Sequence, residues 1–320
     1  MTGASCHLGR RTLLVAAGAG VLGVSGVAVA LADRRGPDRP RSVVLATGPP
    51  GAVFLEVGRD LARAVRALSP GTTVTTLITA ASVENLRLLA GGKADLGLAS
   101  LDASAVDRQV LAGSITAVCR LYDSVLHLVV PAASGIRTLA DCGGKIVSVG
   151  AGDSGTEFTT LRLLDLARVR PAGMIRLAQT EAMDALGRGT VDAAFSLTGF
   201  PTGAIRQLAD RQPLRLVPLA AFAPLLEGSI PQVYAPAVVP AGTYHGIGAT
   251  PTVSVPNLLL ARPALPDSAA TLVTEAVLSA GSRRFWTHSD SRRIDVRTAI
   301  ATGPASLHPA ALAWLRAHKP

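Results

Sequence analysis

The sequence predicts an α/β fold in two lobes, with parallel-dominated sheets, flanking helices and a hinge where the chain crosses between the lobes. Three observations support this prediction. Short runs rich in β-branched residues alternate with helical patterns along most of the chain, which is typical of parallel sheets. The 320 residues are enough for two ordinary units, and 48% of them are hydrophobic. The 32 glycines and 21 prolines indicate many short connections.

The N-terminus has the pattern of an export signal, which we assign to residues 1–32. Arg10 and Arg11 precede an uncharged apolar run over 13–31, and the sequence A-L-A at its end has the form of a cleavage site. The stretch "GRRTLL" is similar to a twin-arginine signal. We therefore expect an exported, extracytoplasmic protein. The apolar run is also long enough to span a bilayer, so an uncleaved anchor on the outer face of the cytoplasmic membrane is the alternative.

A charged linker over residues 33–41 separates the signal from the first lobe, which we place at 42–130 plus 251–320. Apolar residues at helical spacing, such as Val57 and Leu61, identify the helices, and β-branched runs identify the strands. The predicted elements that open this lobe are strands 42–47, 72–79 and 94–100 and helices 53–68 and 82–92.

The second lobe, which we place at 131–250, repeats the same alternation. Segments 144–158 and 189–201 each read as a strand followed by a loop of small polar residues. The apolar strand 126–131 leads into this lobe, and an extended stretch over 250–266 leads back to the first lobe. We therefore expect the hinge near 126–131 and 252–262. The tail has a helical pattern in "DSAATLVTEAVLSAG" and ends in "LHPAALAWLRAHK".

Three loops of the first lobe follow its predicted strands, at the edge where α/β sheets bind ligands. They read "TGPPGA", "TAAS" and "SLDAS", and Asp102 is the only charged residue among them. Small residues and hydroxyls of this kind suit binding through backbone N–H groups better than acid–base chemistry.

In the second lobe, residues 152–155 spell G-D-S-G, the string that surrounds the nucleophile of trypsin-like proteases. A serine hydrolase using Ser154 needs a general base, and His127 is the only histidine between the predicted signal and Ser154. His127 lies in a strand pattern, and the chain after Ser154 is helical, so this hypothesis is remote. Ser154 and Glu157 instead form the pattern S-x-x-E of a helix capping box.

A helix that begins at Ser154 offers free N–H groups, where the helix dipole favours a carboxylate or phosphate. Ser82 is predicted to start a helix in the same way in the first lobe. We expect the two helix starts to face one cleft and to hold one anion between them. The alternative is that both serines only cap their helices.

Several segments in order resemble TAXI-type solute-binding proteins, the extracytoplasmic components associated with TRAP transporters. They are "LATGPPGAVFLEVGRDLARAV", "TAASVENLRLLAGGKADLGLAS", "ADCGGKIVSVGAGDSGTE", "GTVDAAFSLTGFPTGAI", "VPAGTYHGI" and "LHPAALAWLR". The similarity covers about residues 42–316. It implies a two-lobe periplasmic-binding-protein fold of type II. It also implies a non-enzymatic receptor that captures a small organic acid or amino acid, such as a dicarboxylate or glutamate-like molecule.

The resemblance further implies that the receptor presents its ligand to a TRAP-type membrane permease; a ligand-sensing accessory module of a signalling system is the alternative. By the same resemblance, loops of both lobes supply the binding residues. Those predicted in the first lobe are Thr47, Gly48, Gly51, Thr79, Ser82, Asn85, Ser100 and Asp102, and those in the second are Ser154, Gly155, Thr156, Thr198, Gly199 and Phe200.

The chain departs from the family pattern in its first loop. Pro49 and Pro50 stand where glycine is usual, so fewer N–H donors are available there. Phe54 and Leu55 replace a usual pair of tyrosines, and Ser100 stands where glutamine is common. These changes predict a ligand that is less polar, or placed differently, than in typical members.

The remaining composition argues against other function classes. The net charge is +9, but the arginines are scattered and aromatic residues make up only 3%, so we expect no nucleic-acid partner. The histidines show no metal-ligand spacing, and we predict neither a metal nor a cofactor for this monomeric receptor. Cys119 and Cys142 both lie in apolar segments, and either a disulfide or two buried thiols fit that context.

Overall fold

One mixed sheet organises the fold, and its two ends are parallel while its middle is antiparallel. The computed structural model describes residues 40–318, so the predicted export signal and most of the predicted linker lie outside the described residues. Within 40–318, no helix has both the length and the apolar character needed to cross a bilayer. The strands are β1 Ser42–Ala46, β2 Thr73–Leu77, β3 Leu96–Ser100, β4 Thr116–Pro131, β5 Ile146–Ser148, β6 Gly173–Ile175, β7 Ala193–Thr198, β8 Leu214–Leu216, β9 Ala235–Val239 and β10 Thr250–Ala261.

Helices cover this sheet. They are α1 Val53–Leu68, α2 Ser82–Ala90, α3 Leu101–Ala105, α4 Arg108–Leu111, α5 Gly155–Leu166, α6 Gln179–Gly187, α7 Gly203–Ala209, α8 Ala223–Ser229, α9 Asp267–Leu278 and α10 Pro309–Ala317. Short 3₁₀ turns occupy Leu139–Cys142, Ala220–Phe222, Ala280–Phe285 and Ser291–Arg293.

The strand order β2-β1-β3-β10-β4-β7-β5-β6 separates two parallel groups. β1 pairs in parallel with β2 and β3, and β5 pairs in parallel with β6 and β7, as the alternation of strands and helices predicts. The long strands β4 and β10 lie between the two groups and pair antiparallel with their neighbours. This is a two-lobe arrangement in which β4 and β10 pass from one lobe to the other. We keep the predicted lobe boundaries, which stay a prediction.

Strand β4 begins ten residues before the predicted strand 126–131. Arg120 and Asp123 interrupt the apolar pattern of this earlier part, which hides the strand in the sequence. In the structure these two residues form an ion pair at 2.7 Å, so the strand continues through them. The longer strand matters for function because it carries Tyr122 and Ser124 past the cleft.

Helix α1 shows how periodicity builds the core of the first lobe. Val53, Val57, Leu61 and Val65 are buried on one face, as their helical spacing predicts. Asp60 is also buried on this helix, and its carboxylate accepts hydrogen bonds from the Thr287 amide at 2.8 Å and the Ser291 hydroxyl at 2.9 Å. That carboxylate therefore ties the C-terminal part of the chain onto the first lobe.

Cys119 and Cys142, the two cysteines within residues 40–318, are buried free thiols. Cys119 lies on β4, and Cys142 ends the 3₁₀ turn Leu139–Cys142. Burial raises the pKa of the Cys142 thiol to about 11, so this thiol stays protonated at neutral pH. The disulfide alternative is wrong, and the apolar residues that flank each cysteine in the sequence explain its burial.

Candidate functional site

A cavity of about 60 Å³ lies between the two lobes, at the carboxyl ends of β1, β3, β5 and β7. This is the sheet edge at which the sequence predicts a site. The lining residues include no carboxylate, ammonium, guanidinium or imidazole group. Polar groups on the wall come from Ser82, Ser100, Tyr122, Ser124, Ser154, Thr156, Gln179, Ser196, Thr198 and Asn257.

Helix α5 begins at the cavity, and Ser154 is its N-cap as predicted. The Ser154 hydroxyl accepts a hydrogen bond from the Glu157 amide at 3.0 Å and donates one to the Ala151 carbonyl at 2.7 Å. The Glu157 carboxylate accepts from the Asp153 amide at 2.8 Å instead of the Ser154 amide, so the predicted capping box is only half formed.

The hydrogen bonds of Ser154 and His127 argue against a serine hydrolase that uses Ser154. The only proton of the Ser154 hydroxyl is donated to a backbone carbonyl, so the group is held as a structural cap. His127 is buried, and its Nε2 lies 3.1 Å from the Tyr244 hydroxyl. Burial lowers the pKa of His127 to about 4. Ser154 and His127 are therefore each bonded to other groups and do not form a nucleophile–base pair.

The first two amides of α5 remain available for binding. The N–H groups of Gly155 and Thr156 have no hydrogen-bond partner within residues 40–318, and both residues line the cavity. A Cβ at Gly155 would come within 2.7 Å of the Ser82 hydroxyl oxygen and 2.9 Å of the Ser100 hydroxyl oxygen. Only glycine therefore lets this helix start approach the first lobe so closely.

Helix α2 reaches the same cavity, but two of its first three amides are bonded to the second lobe. The Val83 and Glu84 N–H groups donate to the Asp153 carbonyl of the second lobe, at 3.0 and 3.1 Å. The N-cap is Ala81, and Ser82 instead accepts a hydrogen bond from the Ser100 amide at 3.0 Å. The expectation that Ser82 caps α2 is therefore wrong, and the Val83 and Glu84 amides are occupied by a carbonyl group of the protein itself.

Three predicted residues of the first lobe support the loops from behind the cavity wall. The Thr47 hydroxyl donates to the Leu77 carbonyl at 2.6 Å. The Asn85 amide donates to the carbonyls of Thr47 and Leu98 at 2.7 Å each, and the Thr79 hydroxyl donates to the Asn85 oxygen at 2.7 Å. All three side chains are buried and their polar atoms are bonded within the first lobe, so none of them lines the cavity.

Gly48 and Gly51 also lie outside the cavity lining. Gly48 packs against Phe54 and Ala81, and Gly51 turns the chain with a φ of +80°. Asp102 is fully buried between the lobes, where its carboxylate accepts from the hydroxyls of Thr159 and Tyr234. Burial raises the pKa of Asp102, and the role of this residue is to join the lobes.

Thr198 lines the cavity, but the two residues after it do not. A Cβ at Gly199 would lie 1.9 Å from an Asp290 carboxylate oxygen, so this carboxylate fills the space beside the loop. Phe200 packs under the Arg293 guanidinium, which lies 4.3 Å from the ring centroid. Of the fourteen predicted residues, the cavity brings together Ser82, Ser100, Ser154, Gly155, Thr156 and Thr198.

Comparison with known proteins identifies the family. Residues 45–317 match the profile of the NMT1-like family, which is most of the chain. The chain belongs to the NMT1-like family. This is a family of periplasmic solute-binding proteins, so the chain is a solute-binding protein of the extracytoplasmic side. The TAXI type stays a prediction.

Solved structures agree with the fold of this NMT1-like protein. The periplasmic binding protein BugD matches 88% of this chain and 94% of its own, with 11% identity and a TM-score of 0.52. XAC2383 from Xanthomonas citri, bound to ATP, matches 87% and 95%, with 14% identity and a TM-score of 0.50. The aliphatic sulphonate binding protein SsuA of Escherichia coli matches 88% and 84%, with 17% identity and a TM-score of 0.48. The likenesses to BugD and XAC2383 support the two-lobe periplasmic-binding-protein fold.

Several cavity residues of this NMT1-like protein were missed from the sequence. Tyr122 and Ser124 lie on β4, Asn257 lies on β10, and Gln179 begins α6. The strands that carry the first three pass between the lobes, and a local pattern does not show which part of them meets the cleft. One signal was available: Asn257 is an amide in the middle of the otherwise apolar stretch "VSVPNLLLA".

Proposed function

We propose that this protein captures a small organic acid or amino acid in the cavity between its lobes and presents it to a membrane partner. The observation that carries the proposal is the pair of unpartnered amides, Gly155 and Thr156, at the start of a twelve-residue helix that opens into the cavity. The helix dipole adds positive potential at this point, and a carboxylate accepts hydrogen bonds from such amides.

The character of the cavity limits the ligand. A second carboxylate on the ligand would be buried without a cation, because no cationic side chain of residues 40–318 lines the cavity. A volume of about 60 Å³ also favours a ligand of a few heavy atoms. Within the predicted ligand class, a molecule with one carboxylate therefore suits the site better than a dicarboxylate.

Capture requires the lobes to separate and close again. Both lobes supply cavity residues, and β4 and β10 are the long strands that connect them. A ligand that contacts both lobes binds the closed form better and shifts the population towards it. The closed form is then the form that a membrane partner recognises. The resemblance to TAXI proteins supports a TRAP-type permease as that partner.

Isothermal titration of the purified mature protein with a panel of small acids and amino acids tests the proposal. We expect saturable binding of at least one member, together with a smaller radius of gyration in X-ray scattering when ligand is present. Native mass spectrometry of the protein as purified would show the mass of a bound small acid. A panel that gives no saturable binding, with no bound mass, would overturn the receptor function.

A ligand-sensing accessory module is the second candidate, and the apolar run over 13–31 is the observation that favours it. The two candidates differ in the processing of this run. A mature protein released with its N-terminus near Asp33 supports transport, and retention of the run in the membrane supports the sensor. N-terminal sequencing of the protein from its native host measures this difference.

A further inference from the structure

The cavity holds a buried hydrogen-bond acceptor that no group within residues 40–318 satisfies. Asn257 lies on β10 with only 1% of its surface exposed, and it lines the cavity. Its amide nitrogen donates to the Tyr122 carbonyl at 3.0 Å and to the Ser124 hydroxyl at 2.9 Å. Because the Tyr122 carbonyl can only accept, these bonds fix the orientation of the Asn257 amide. The Asn257 side-chain oxygen is left with no partner within residues 40–318.

The buried Asn257 oxygen is best satisfied by a hydrogen-bond donor on the ligand. Leaving such an atom unpaired in a buried site is unfavourable, so a ligand that donates a hydrogen bond to it binds more tightly than one that does not. A carboxylate has no proton to donate, and a second carboxylate would also repel the oxygen of Asn257.

The acceptor lies close to the free amides of α5. Asn257 and Ser100 are directly paired residues on antiparallel strands, so their side chains lie on the same face of the sheet. The Ser100 hydroxyl oxygen in turn lies 2.9 Å from the Cβ position of Gly155. A ligand bound at the Gly155 and Thr156 amides therefore has Asn257 about one strand spacing away, roughly 5 Å.

This spacing matches a molecule that carries a hydrogen-bond donor on the carbon atom next to its carboxylate. We propose that the ligand is a zwitterion, a small α-amino acid whose carboxylate accepts from the Gly155 and Thr156 amides and whose ammonium group donates to the Asn257 oxygen. The inference rests on the proposed function and narrows its ligand class.

The cavity volume sets the size of the side chain. A volume of about 60 Å³ holds only a few heavy atoms beyond the shared carboxylate and ammonium. We therefore expect glycine, alanine and serine to bind better than glutamate or aromatic amino acids.

The test is a titration series in which one group changes at a time. Alanine, lactate and propionate share the carboxylate and the carbon chain, and they carry an ammonium, a hydroxyl or a hydrogen at the same position; succinate adds a second carboxylate. We expect alanine to bind at least tenfold more tightly than propionate, with lactate between them and succinate weakest. Equal or tighter binding of propionate or succinate would overturn the zwitterion and leave the receptor function intact. If no member binds, the zwitterion is overturned, and the wider panel and native mass spectrometry then decide the receptor function.

Substitution of Asn257 links the preference to this residue. Asn257→Ala should remove most of the difference between alanine and propionate while leaving propionate affinity within about threefold of wild type. Thr190→Ala, on a turn of the second lobe outside the cavity, is the control and should keep the full difference. Circular dichroism confirms that each variant is folded. If Asn257→Ala does not fold, the ligand series on the unmodified protein tests the zwitterion by itself. If the variant folds and still prefers alanine over propionate as strongly as wild type, Asn257 is not the residue that binds the ammonium group.

Discussion

Gly155 and Gly199 are two glycines that follow strands of the second lobe, and both were predicted to cradle a ligand. At Gly155 the nearest groups of the first lobe are the hydroxyls of Ser82 and Ser100, and the amide stays free in the cavity. At Gly199 the nearest group is the Asp290 carboxylate, which occupies the space where a ligand would lie. The two loops carry the same sequence signal, a strand followed by small polar residues. Their difference shows that the opposing lobe decides which loop can bind.

The largest expected effect is the loss of folding stability in Gly199→Ala. The added Cβ would lie 1.9 Å from an Asp290 oxygen and 3.2 Å from the Tyr122 ring, so the loop or Asp290 must move. We expect destabilisation of about 3 kcal/mol, measured by urea unfolding. A loss below about 0.5 kcal/mol would show that the loop has free space, and Gly199 would then regain its place among the predicted ligand residues.

The next effect concerns the carboxylate that fills the Gly199 loop. Asp290 is fully buried, its two ion-pair contacts with Arg293 and His288 are at 3.3 and 3.5 Å, and its carboxylate makes no hydrogen bond among the described residues. Burial raises the pKa of Asp290 to about 7. The folded protein keeps this proton between about pH 4 and pH 7 while the unfolded chain loses it, so stability falls as pH rises through that window.

Asp290→Asn should therefore stabilise the protein on the order of 2 kcal/mol at pH 8 and have little effect at pH 5. Thermal unfolding of both proteins at the two pH values measures this difference. An equal effect at pH 5 and pH 8 would mean that Asp290 does not hold a proton in the folded state. An exposed carboxylate replaced in the same way, Asp165→Asn, is the control and should show no such pH dependence.

Gly155→Ala tests the loop at the start of α5, whose amides are free in the cavity. The added methyl group would meet the Ser82 and Ser100 hydroxyls and push the start of α5 away from the first lobe. We expect ligand affinity to fall at least tenfold, or roughly 1.4 kcal/mol, by isothermal titration. Gly203→Ala is the matched control, because Gly203 is also the first residue of a helix in the second lobe and its Cβ position has no neighbour within 4 Å. Equal affinities for the two variants would contradict the role of Gly155.

The smallest effect is at the caps of the same two helices. Ser154→Ala removes the hydrogen bond to the Glu157 amide and should cost about 1 kcal/mol of stability. Thr202 is the N-cap of α7 but makes no side-chain capping bond, so Thr202→Ala should cost less. Urea unfolding compares the two variants. If Thr202→Ala loses as much stability as Ser154→Ala, the capping hydrogen bond of Ser154 does not add to the stability of α5.

Features of the fold that depend on local spacing were predictable. The apolar face of α1 and the start of α5 at Ser154 follow from residues three or four apart, and the structure shows both. The early part of β4 was missed because Arg120 and Asp123 resemble a loop when their pairing is unknown. Asn257 was missed for a related reason: its free oxygen is defined by bonds to Tyr122 and Ser124, which lie far away in the chain.

The sequence by itself determined the alternation of strands and helices, the small polar loops at the strand ends and the cap at Ser154, because these depend on neighbouring residues. Only the tertiary structure decided which backbone donors are free. The Val83 and Glu84 amides of α2 are bonded to the Asp153 carbonyl and the Gly199 loop is filled by Asp290, whereas the Gly155 and Thr156 amides face the cavity. The physical reason is that an N–H group binds a ligand only where no group of the protein already accepts from it, and those acceptors come from distant segments.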